Sequence, residues 1–193
     1  MHVRLVLCIA LTTAIAGFHP DGAAAQGKPS SWLDVEKPAP WNTAGAAIPA
    51  APQSGGEGVD PRCKEQARPP QTDEDKRLRQ QGWDLVGAYQ GGWQIVVIRG
   101  TASYDGMCRP RDYQDFVFVR GAFAGTLSPR PMDSRSDGAL NGVFLQSGRV
   151  TSEYARYAPA DPLCCPSRTT SVVFEVSGTP PLVRPLSSST AAR

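Results

Sequence analysis

Between residues 83 and 183 the chain is a series of short segments rich in valine, isoleucine and aromatic residues, separated by turns that contain glycine. Segments of this length and composition are typical of β-strands rather than α-helices. Residues 83–89 and 93–98 flank a Gln90-Gly91-Gly92 turn signal, which predicts a β-hairpin. A further strand is predicted from 115–119 on to Leu127, with bulges at Gly121 and Gly125. A second hairpin is predicted from strands at 143–145 and 150–157 around a Ser147-Gly148 turn. The last strands are predicted at 171–176 and 182–183.

One helix is predicted ahead of these strands, at residues 73–81. Thr72 is a suitable N-cap, acidic residues fill the first turn, and Gly82 follows the last turn. Because Leu78 is its one strongly apolar residue, the helix is expected to lie on the surface. The sequence therefore predicts an α+β fold: a mostly antiparallel β-sheet with one N-terminal surface helix, in a single domain stapled by disulfides. A closed barrel is the alternative.

The first 25 residues have the pattern of a removable export signal, with a positive start, an apolar stretch and small residues before a cleavage site near Ala25. The apolar stretch is shorter than the ~20 residues that cross a bilayer, so no transmembrane segment is expected after signal removal. No lipid-acceptor cysteine lies at the cleavage site, so we expect a soluble periplasmic or secreted protein.

The remaining chain divides by composition. Residues 26–60 are rich in proline, alanine and glycine, which predicts a flexible linker with Trp32 and Trp41 exposed. The globular domain is expected at 61–186, and a disordered tail at 187–193.

Four cysteines lie beyond the signal, Cys63, Cys108, Cys164 and Cys165, and an even number in an exported chain predicts disulfides. A vicinal bond is the least favoured pairing, because neighbouring Cα atoms are ~3.8 Å apart and ordinary bridges span about 4.4–6.8 Å. Cys164 and Cys165 are therefore each expected to bond to one of Cys63 and Cys108, in either order. Structural disulfides are favoured over a thiol-exchange site, which usually has Cys-x-x-Cys spacing, and over a metal site.

Four short motifs carry a family resemblance: Tyr104-Asp105-Gly106-Met107-Cys108, Gly125-Thr126-Leu127-Ser128-Pro129, Ser134-Arg135-Ser136-Asp137-Gly138 and Leu163-Cys164-Cys165-Pro166-Ser167. With them, residues 62–186 resemble the LppP/LprE family of bacterial envelope lipoproteins. The resemblance implies a location in the cell envelope and no particular reaction. The chain departs from the lipoprotein pattern because it lacks the lipid-acceptor cysteine.

Both histidines, His2 and His19, lie in the signal-like segment, so the exported chain would have no imidazole. This removes the commonest general base and the commonest metal ligand, and no cofactor or metal is expected. A small hydrolase that uses loop carboxylates is one alternative, but the spacing of the aspartates selects no pair. A thiol-exchange protein that uses Cys164 and Cys165 is another.

The favoured hypothesis is a non-catalytic envelope protein that binds an unidentified envelope protein or small ligand through a sheet face and its loops. Arginine and tyrosine are favoured at recognition surfaces. The candidate binding residues are Arg109, Arg111, Arg135, Tyr154, Tyr157 and Arg168. The net charge of +2 is too small and too evenly spread for nucleic acid to be an expected partner.

Overall fold

Eight antiparallel strands form two four-stranded sheets in the computed structural model, which describes residues 31–53 and 61–193. The first sheet has the order β1-β2-β3-β4 and the second the order β5-β6-β7-β8. The strands are β1 (Asp84–Gly92), β2 (Ile95–Tyr104), β3 (Pro110–Val119), β4 (Ala122–Thr126), β5 (Leu140–Gln146), β6 (Arg149–Arg156), β7 (Arg168–Ser177) and β8 (Leu182–Ala192). The prediction of a mostly antiparallel β-protein is therefore confirmed.

The main core lies between the two sheets. Val97 and Val117 of the first sheet pack in one buried cluster with Val150, Val172 and Phe174 of the second. Along β7 the buried residues alternate with partly exposed ones, the period-two pattern of a strand with one face in a core. The two sheets therefore bury their facing sides against each other.

The first hairpin turns at Trp93 and Gln94, two residues later than the glycine pair that the sequence suggested. Both residues have positive φ, 55° and 65°, as a two-residue type I′ turn requires. Gly91 and Gly92 instead pair with Val96 and Ile95 in the ladder. The shift follows from an irregularity in β1 between Val86 and Gln90, which adds residues to that strand.

Helical structure is short: the elements are a 3-10 helix at Trp32–Asp34, α1 (Pro61–Lys64) and α2 (Asp73–Gln80). The 3-10 helix packs against the main core through Leu33, and α2 covers the outer face of the first sheet through Leu78. Thr72 and Asp75 form a capping box at the start of α2, and Leu78 packs with Trp83 and Phe116 in a second buried cluster. The helix predicted at 73–81 is present as α2, but it is not the one N-terminal helix that was expected, because two short helical elements precede it in the described residues.

Residues 31–53, here named the strap, pack against both sheets, unlike the flexible linker that the sequence predicted. The Trp83 indole N–H donates to the Pro49 carbonyl oxygen at 2.8 Å, and the Ser188 backbone N–H donates to the Glu36 carbonyl oxygen at 2.7 Å. Trp32 and Trp41, expected to be exposed, are part-buried and pack against the main core. Backbone hydrogen bonds and two indole rings thus offset the ordering entropy of a segment poor in branched apolar residues.

Asn42 fastens the strap to the edge strands of both sheets. Its amide nitrogen donates to the carbonyl oxygens of Thr126 in β4, at 2.9 Å, and Val183 in β8, at 3.1 Å. Its amide oxygen accepts the Thr126 backbone N–H at 2.9 Å. The side chain fits because residue 125 is glycine: a Cβ there would lie 2.4 Å from the Asn42 Cγ.

The carboxy-terminal residues are a strand rather than the disordered tail that was expected at 187–193. β8 pairs with β7 from Ser177↔Leu182 to Arg168↔Ala192. Serine, threonine and alanine suit this edge position, because β8 pairs its backbone with β7 and needs few large side chains. The predicted short strand at 182–183 is therefore the start of an eleven-residue one.

The disulfides join Cys63 to Cys108 and Cys164 to Cys165, so the expected pairing is wrong. Cys63, on α1, is buried beside Val86 and Tyr104, and its bond closes a separation of 45 residues. With Cys63 and Cys108 joined, each of the other two has its sequence neighbour as its partner. The buried Cys63–Cys108 disulfide therefore links α1 to the loop between β2 and β3 and stays within the first sheet and its helix.

The chain-entropy model assigns about 4 kcal/mol to closing a loop of the Cys63–Cys108 size. Replacing both cysteines by serine is therefore expected to lower the free energy of unfolding by about 4 kcal/mol, measured by urea denaturation. Replacing Cys164 and Cys165 by serine is the matched control, because a vicinal bond closes almost no loop. An equal loss in both double variants would contradict this account.

Gly125→Ala is expected to displace Asn42 and lower the free energy of unfolding by at least about 2 kcal/mol, because buried amide partners lose their hydrogen bonds. Gly87→Ala is the control: Gly87 also has positive φ, 74°, but no heavy atom lies within 4 Å of an added Cβ. Amide hydrogen exchange at residues 41–52 should rise in the Gly125 variant alone. Unchanged exchange there would show that Asn42 does not hold the strap.

Candidate ligand-binding site

Loops from both sheets meet at one end of the molecule, here named the loop end. The strands β2, β4, β6 and β8 finish there, and β3, β5 and β7 begin there. A hydrogen bond joins the two sheets at this end: the Leu140 backbone N–H of β5 donates to the Tyr113 hydroxyl oxygen of β3 at 2.7 Å. Five of the six predicted binding residues lie at the loop end.

The turn at 133–138, which joins β4 to β5, forms one wall of the site. The Ser136 hydroxyl donates to the Asp133 carbonyl oxygen at 2.7 Å, and the Asp133 carboxylate accepts the Asp112 backbone N–H at 2.9 Å. Arg135, at the tip, has a positive φ of 58° and an exposed side chain. Serine, aspartate and glycine form this polar turn for the ordinary reason that their side chains bond to nearby backbone.

Arg156, at the end of β6, ties this turn to the strap. Its guanidinium lies 3.0 Å from the Asp137 carboxylate and 2.5 Å from the Asp34 carboxylate. It also donates to the Leu33 carbonyl oxygen at 3.3 Å and to the Thr170 hydroxyl at 3.2 Å. With 6% of its side chain exposed, the guanidinium uses several of its five donors on protein acceptors.

The ion pairs of Arg156 shift the pKa values of Asp34 and of Arg156 itself. The hydrogen bond from Arg156 lowers the pKa of Asp34, against a smaller opposing effect of burial. Burial by itself would lower the pKa of Arg156, but hydrogen bonds to Asp34 and Asp137 raise it. The carboxylates of Asp34 and Asp137 therefore share one permanent cation.

A cavity of about 320 Å³ opens between the strap and the turn. Its lining combines one indole, two carboxylates, a guanidinium and two serines with the backbone of the turn. The residues are Ser31, Trp32, Pro129, Arg130, Pro131, Met132, Asp133, Ser136, Asp137 and Gly138. This volume is at the lower end of the range for small-molecule sites, about 300–1,000 Å³.

Two arginines beside this cavity have no carboxylate partner among the described residues. Arg130, which lines it, and Arg135, at the tip of the turn, form no ion pair with any residue of 31–53 or 61–193. Arg111 reaches the Asp133 carboxylate at 3.8 Å, with half of its side chain exposed. The site therefore presents spare guanidinium groups to solvent.

The remaining predicted residues are spread more widely. Arg109 pairs with Asp105 at 2.5 Å, and the Tyr157 hydroxyl donates to the Leu163 carbonyl oxygen at 3.0 Å. Arg168 is exposed and helps to lower the pKa of Asp34. Tyr154 is fully buried and donates to the Leu127 carbonyl oxygen, so its inclusion as a surface residue is wrong. Tyr154 points inward because β6 alternates its faces at that position.

Trp32, Asp34 and Arg156 are functional candidates that the sequence analysis missed. Trp32 and Asp34 lie in the segment interpreted as a linker, whose overall composition hid a local pattern. The order Ser31-Trp32-Leu33-Asp34 is that of a capping box, and both of its hydrogen bonds form. That pattern was the available signal for an ordered turn in this segment.

Another cavity, of about 450 Å³, lies under the strap against the outer face of the first sheet. Its walls are mostly apolar, with Trp41, Trp83 and Phe123 among them. The polar groups of Asn42 that reach it are already bonded to Thr126 and Val183. It offers fewer free polar groups for recognition than the cavity beside Trp32.

Comparison with known proteins gives one match, and it covers about half of the chain. Residues 89–179 match the LppP/LprE lipoprotein family. All four of the motifs that carried the resemblance lie within this LppP/LprE segment, whereas Cys63 and the strap lie outside it. No curated protein and no solved structure matches the chain.

The LppP/LprE match indicates association with the cell envelope. No helix in the described part of the chain has the length and apolar character needed to cross a membrane. The description of the matched family names no reaction. The function therefore has to be argued from the geometry of the site.

Arg156→Met is expected to cost about 3 kcal/mol of stability, the low end for breaking a buried pair, because Asp34 and Asp137 are partly exposed. The measurement is urea unfolding at pH 7, with Arg149→Met at the opposite end of β6 as the control.

The cost of Arg156→Met should also depend on pH. Since the folded pKa of Asp34 is lowered, its contribution is present above the unfolded value, about 3.9, and is lost as the pH falls through the folded value. The stability difference between the wild type and Arg156→Met should therefore shrink between about pH 5 and pH 2. A difference that stays constant across this range would show that the Asp34 charge contributes nothing.

Proposed function

We propose that this protein is a non-catalytic protein of the cell envelope that binds a partner or ligand bearing an acidic group at the loop end. The observation that carries the proposal is the pair of unmatched guanidinium groups, Arg130 and Arg135, beside a cavity of about 320 Å³. Guanidinium groups bind carboxylates and phosphates through paired, charge-assisted hydrogen bonds.

The neighbouring charges support this choice of ligand. Asp133 and Asp137 also line the cavity, but one carboxylate oxygen of each already accepts hydrogen bonds. Asp133 pairs with Arg111, and Asp137 shares Arg156 with Asp34. These three carboxylates face four guanidinium groups when Arg130 and Arg135 are counted, so the site keeps excess positive charge. An acidic group would complete the pairing.

Trp32 supplies an apolar surface on the other side of the cavity. Its ring contacts the rings of Trp41 and Tyr154, with centroids 5.0 and 5.1 Å apart, so the indole is fixed before any ligand arrives. A fixed aromatic wall facing cationic groups is the usual composition of a recognition site. Preorganisation of this kind favours binding because less entropy is lost.

A hydrolase that uses loop carboxylates receives less support. Asp133 and Asp137 share the cavity, but each is held by an arginine and accepts a backbone N–H. Both carboxylates therefore fix the shape of the turn, whereas a pair that cleaves a glycosidic bond must be placed on either side of that bond.

For the cellular location we propose export. Residues 1–25 would act as the signal, cleaved near Ala25, and the mature protein would be soluble in the periplasm or secreted. These residues lie outside the part of the chain that the structure describes. Intact mass of protein recovered from its native host locates the processed terminus and reveals any acyl chain.

The binding proposal is tested with a photoreactive amino acid at position 131, which is exposed and lines the cavity, compared with the same residue at position 149. Arg149 and Arg184 are exposed arginines at the opposite end of the second sheet. Crosslinking in envelope preparations of the native host should give a discrete adduct from position 131 alone. Replacing Arg130 and Arg135 by alanine should reduce that adduct at least about tenfold, since two charge-assisted contacts are lost.

The charge-matched control replaces Arg149 and Arg184 by alanine and should leave the adduct unchanged. Equal crosslinking from positions 131 and 149, or an adduct indifferent to the replacement of Arg130 and Arg135, would contradict the assignment of the site. Mass spectrometry of the adduct identifies the partner and shows whether it carries the acidic group.

A further inference from the structure

The two disulfides of this protein differ in accessibility. Cys63 is buried, with 1% of its surface exposed, and packs against Val86 and Tyr104, while its partner Cys108 is partly buried. Cys164 and Cys165 are both exposed and lie in the loop between β6 and β7. A sulfur can be attacked by an external thiolate only if solvent reaches it, so the pairs differ in their capacity for exchange.

The loop that carries the exposed pair is held by bonds that use no cysteine sulfur. The Asp161 carboxylate accepts the backbone N–H groups of Ala158 and Ser167 at 2.7 and 2.9 Å, and the Ser167 hydroxyl at 2.7 Å. The Tyr157 hydroxyl donates to the Leu163 carbonyl oxygen at 3.0 Å. The loop therefore keeps its anchors when the sulfur–sulfur bond opens.

The same bond contributes little to the stability of the fold. A disulfide stabilises mainly by shortening the loops of the unfolded chain, and a bond between sequence neighbours shortens almost none. Its surroundings suit contact with another molecule, since Leu163 next to it is 65% exposed and Pro162 is exposed as well, whereas Pro166 is buried. A bond with no evident structural role is thus presented at the surface.

From these observations we infer that Cys164 and Cys165 form a redox-active pair that undergoes thiol–disulfide exchange with an external thiol, while Cys63–Cys108 remains a structural bond. The inference is independent of the proposed binding function, because it uses neither the cavity beside Trp32 nor the unmatched arginines.

The exchange proceeds in two balanced steps. The thiolate of an external thiol attacks the sulfur of one cysteine and forms a mixed disulfide. The Cys164–Cys165 bond breaks, and its electron pair leaves on the other cysteine, which takes a proton from water. The thiolate of a second external thiol then attacks the external sulfur of the mixed disulfide. That sulfur–sulfur bond breaks, and its electron pair leaves on the protein cysteine, which takes a proton from water. Two external thiols are oxidised to one disulfide, and the protein pair gains two electrons and becomes a dithiol.

The test uses the full chain and glutathione buffers of increasing reducing strength, with thiols trapped by N-ethylmaleimide and located by peptide mass spectrometry. Cys164 and Cys165 should become labelled at a reductant concentration about tenfold lower than Cys63 and Cys108. The thermal midpoint should stay unchanged at the point where the exposed pair alone is open. Opening of Cys63–Cys108 first or together with the other pair would overturn the inference, as would a Cys164 link to Cys63 or Cys108 in the oxidised protein.

A second measurement tests exchange itself. Cys165→Ser leaves one thiol at position 164, which should form a mixed disulfide with added oxidised glutathione, read as the mass of one glutathione on the peptide that contains Cys164. The double variant Cys164→Ser, Cys165→Ser is the control and should gain no glutathione. Both variants keep the backbone N–H of residue 165, which donates to the Pro162 carbonyl oxygen. Absence of the adduct in the folded single variant would reject exchange at this site.

Discussion

The seam between β4 and β8 depends on one side chain that reaches it from the strap. The Asn42 amide bonds to the backbone of both strands, and the Trp41 indole N–H donates to the Thr126 carbonyl oxygen at 3.1 Å beside it. The two sheets are joined there by a residue more than eighty positions from Thr126 and more than a hundred from Val183. The strap also positions Trp32 and Asp34, so the walls of the candidate site depend on the same attachment.

A buried ion pair between Arg99 and Asp115 is a second constraint, because it fixes how the strands of both sheets meet at the loop end. Arg99 of β2 lies opposite Asp115 of β3 and bonds to its carboxylate at 3.1 Å, with a further bond to the Leu140 carbonyl oxygen. Burial raises the pKa of Asp115, against the opposing effect of the Arg99 charge. A buried pair of this kind is weak evidence for stability, but it requires β2, β3 and the start of β5 to meet in one register.

Much of the sheet architecture follows from local sequence. Alternating residues in β6 and β7, and the turn between β5 and β6, predict the second hairpin because the period of two and the turn chemistry agree. The capping box at Thr72 fixes the start of α2 for the same reason. The strap and β8 could not be predicted in this way. Their residues have weak propensities, and their order comes from backbone hydrogen bonds to partners distant in sequence.

The candidate site shows the same division. The arginines of the loops could be named from composition, because arginine is frequent at recognition surfaces. Their grouping beside Trp32 required knowledge of where the strap lies. The cysteine pairing failed for a related reason: the distance rule for ordinary bridges says nothing about which partners the fold brings close. Cys108 adopts a positive φ of 60° in the loop after β2, where it meets Cys63 on α1.

The bounds of the family match have a consequence for any shortened form of the protein. The match begins inside β1 and ends before β8, so it leaves out the first residues of one outer strand and the whole of another. A fragment cut at 89–179 would present the free backbone of β7 along most of its length. Unsatisfied N–H and C=O groups in such a row recruit strands from other molecules. Such a fragment is suited to self-association. In the intact chain the edge is β8, and the strap occupies part of its backbone through the bonds from Ser188 to Glu36 and from Asn42 to Val183.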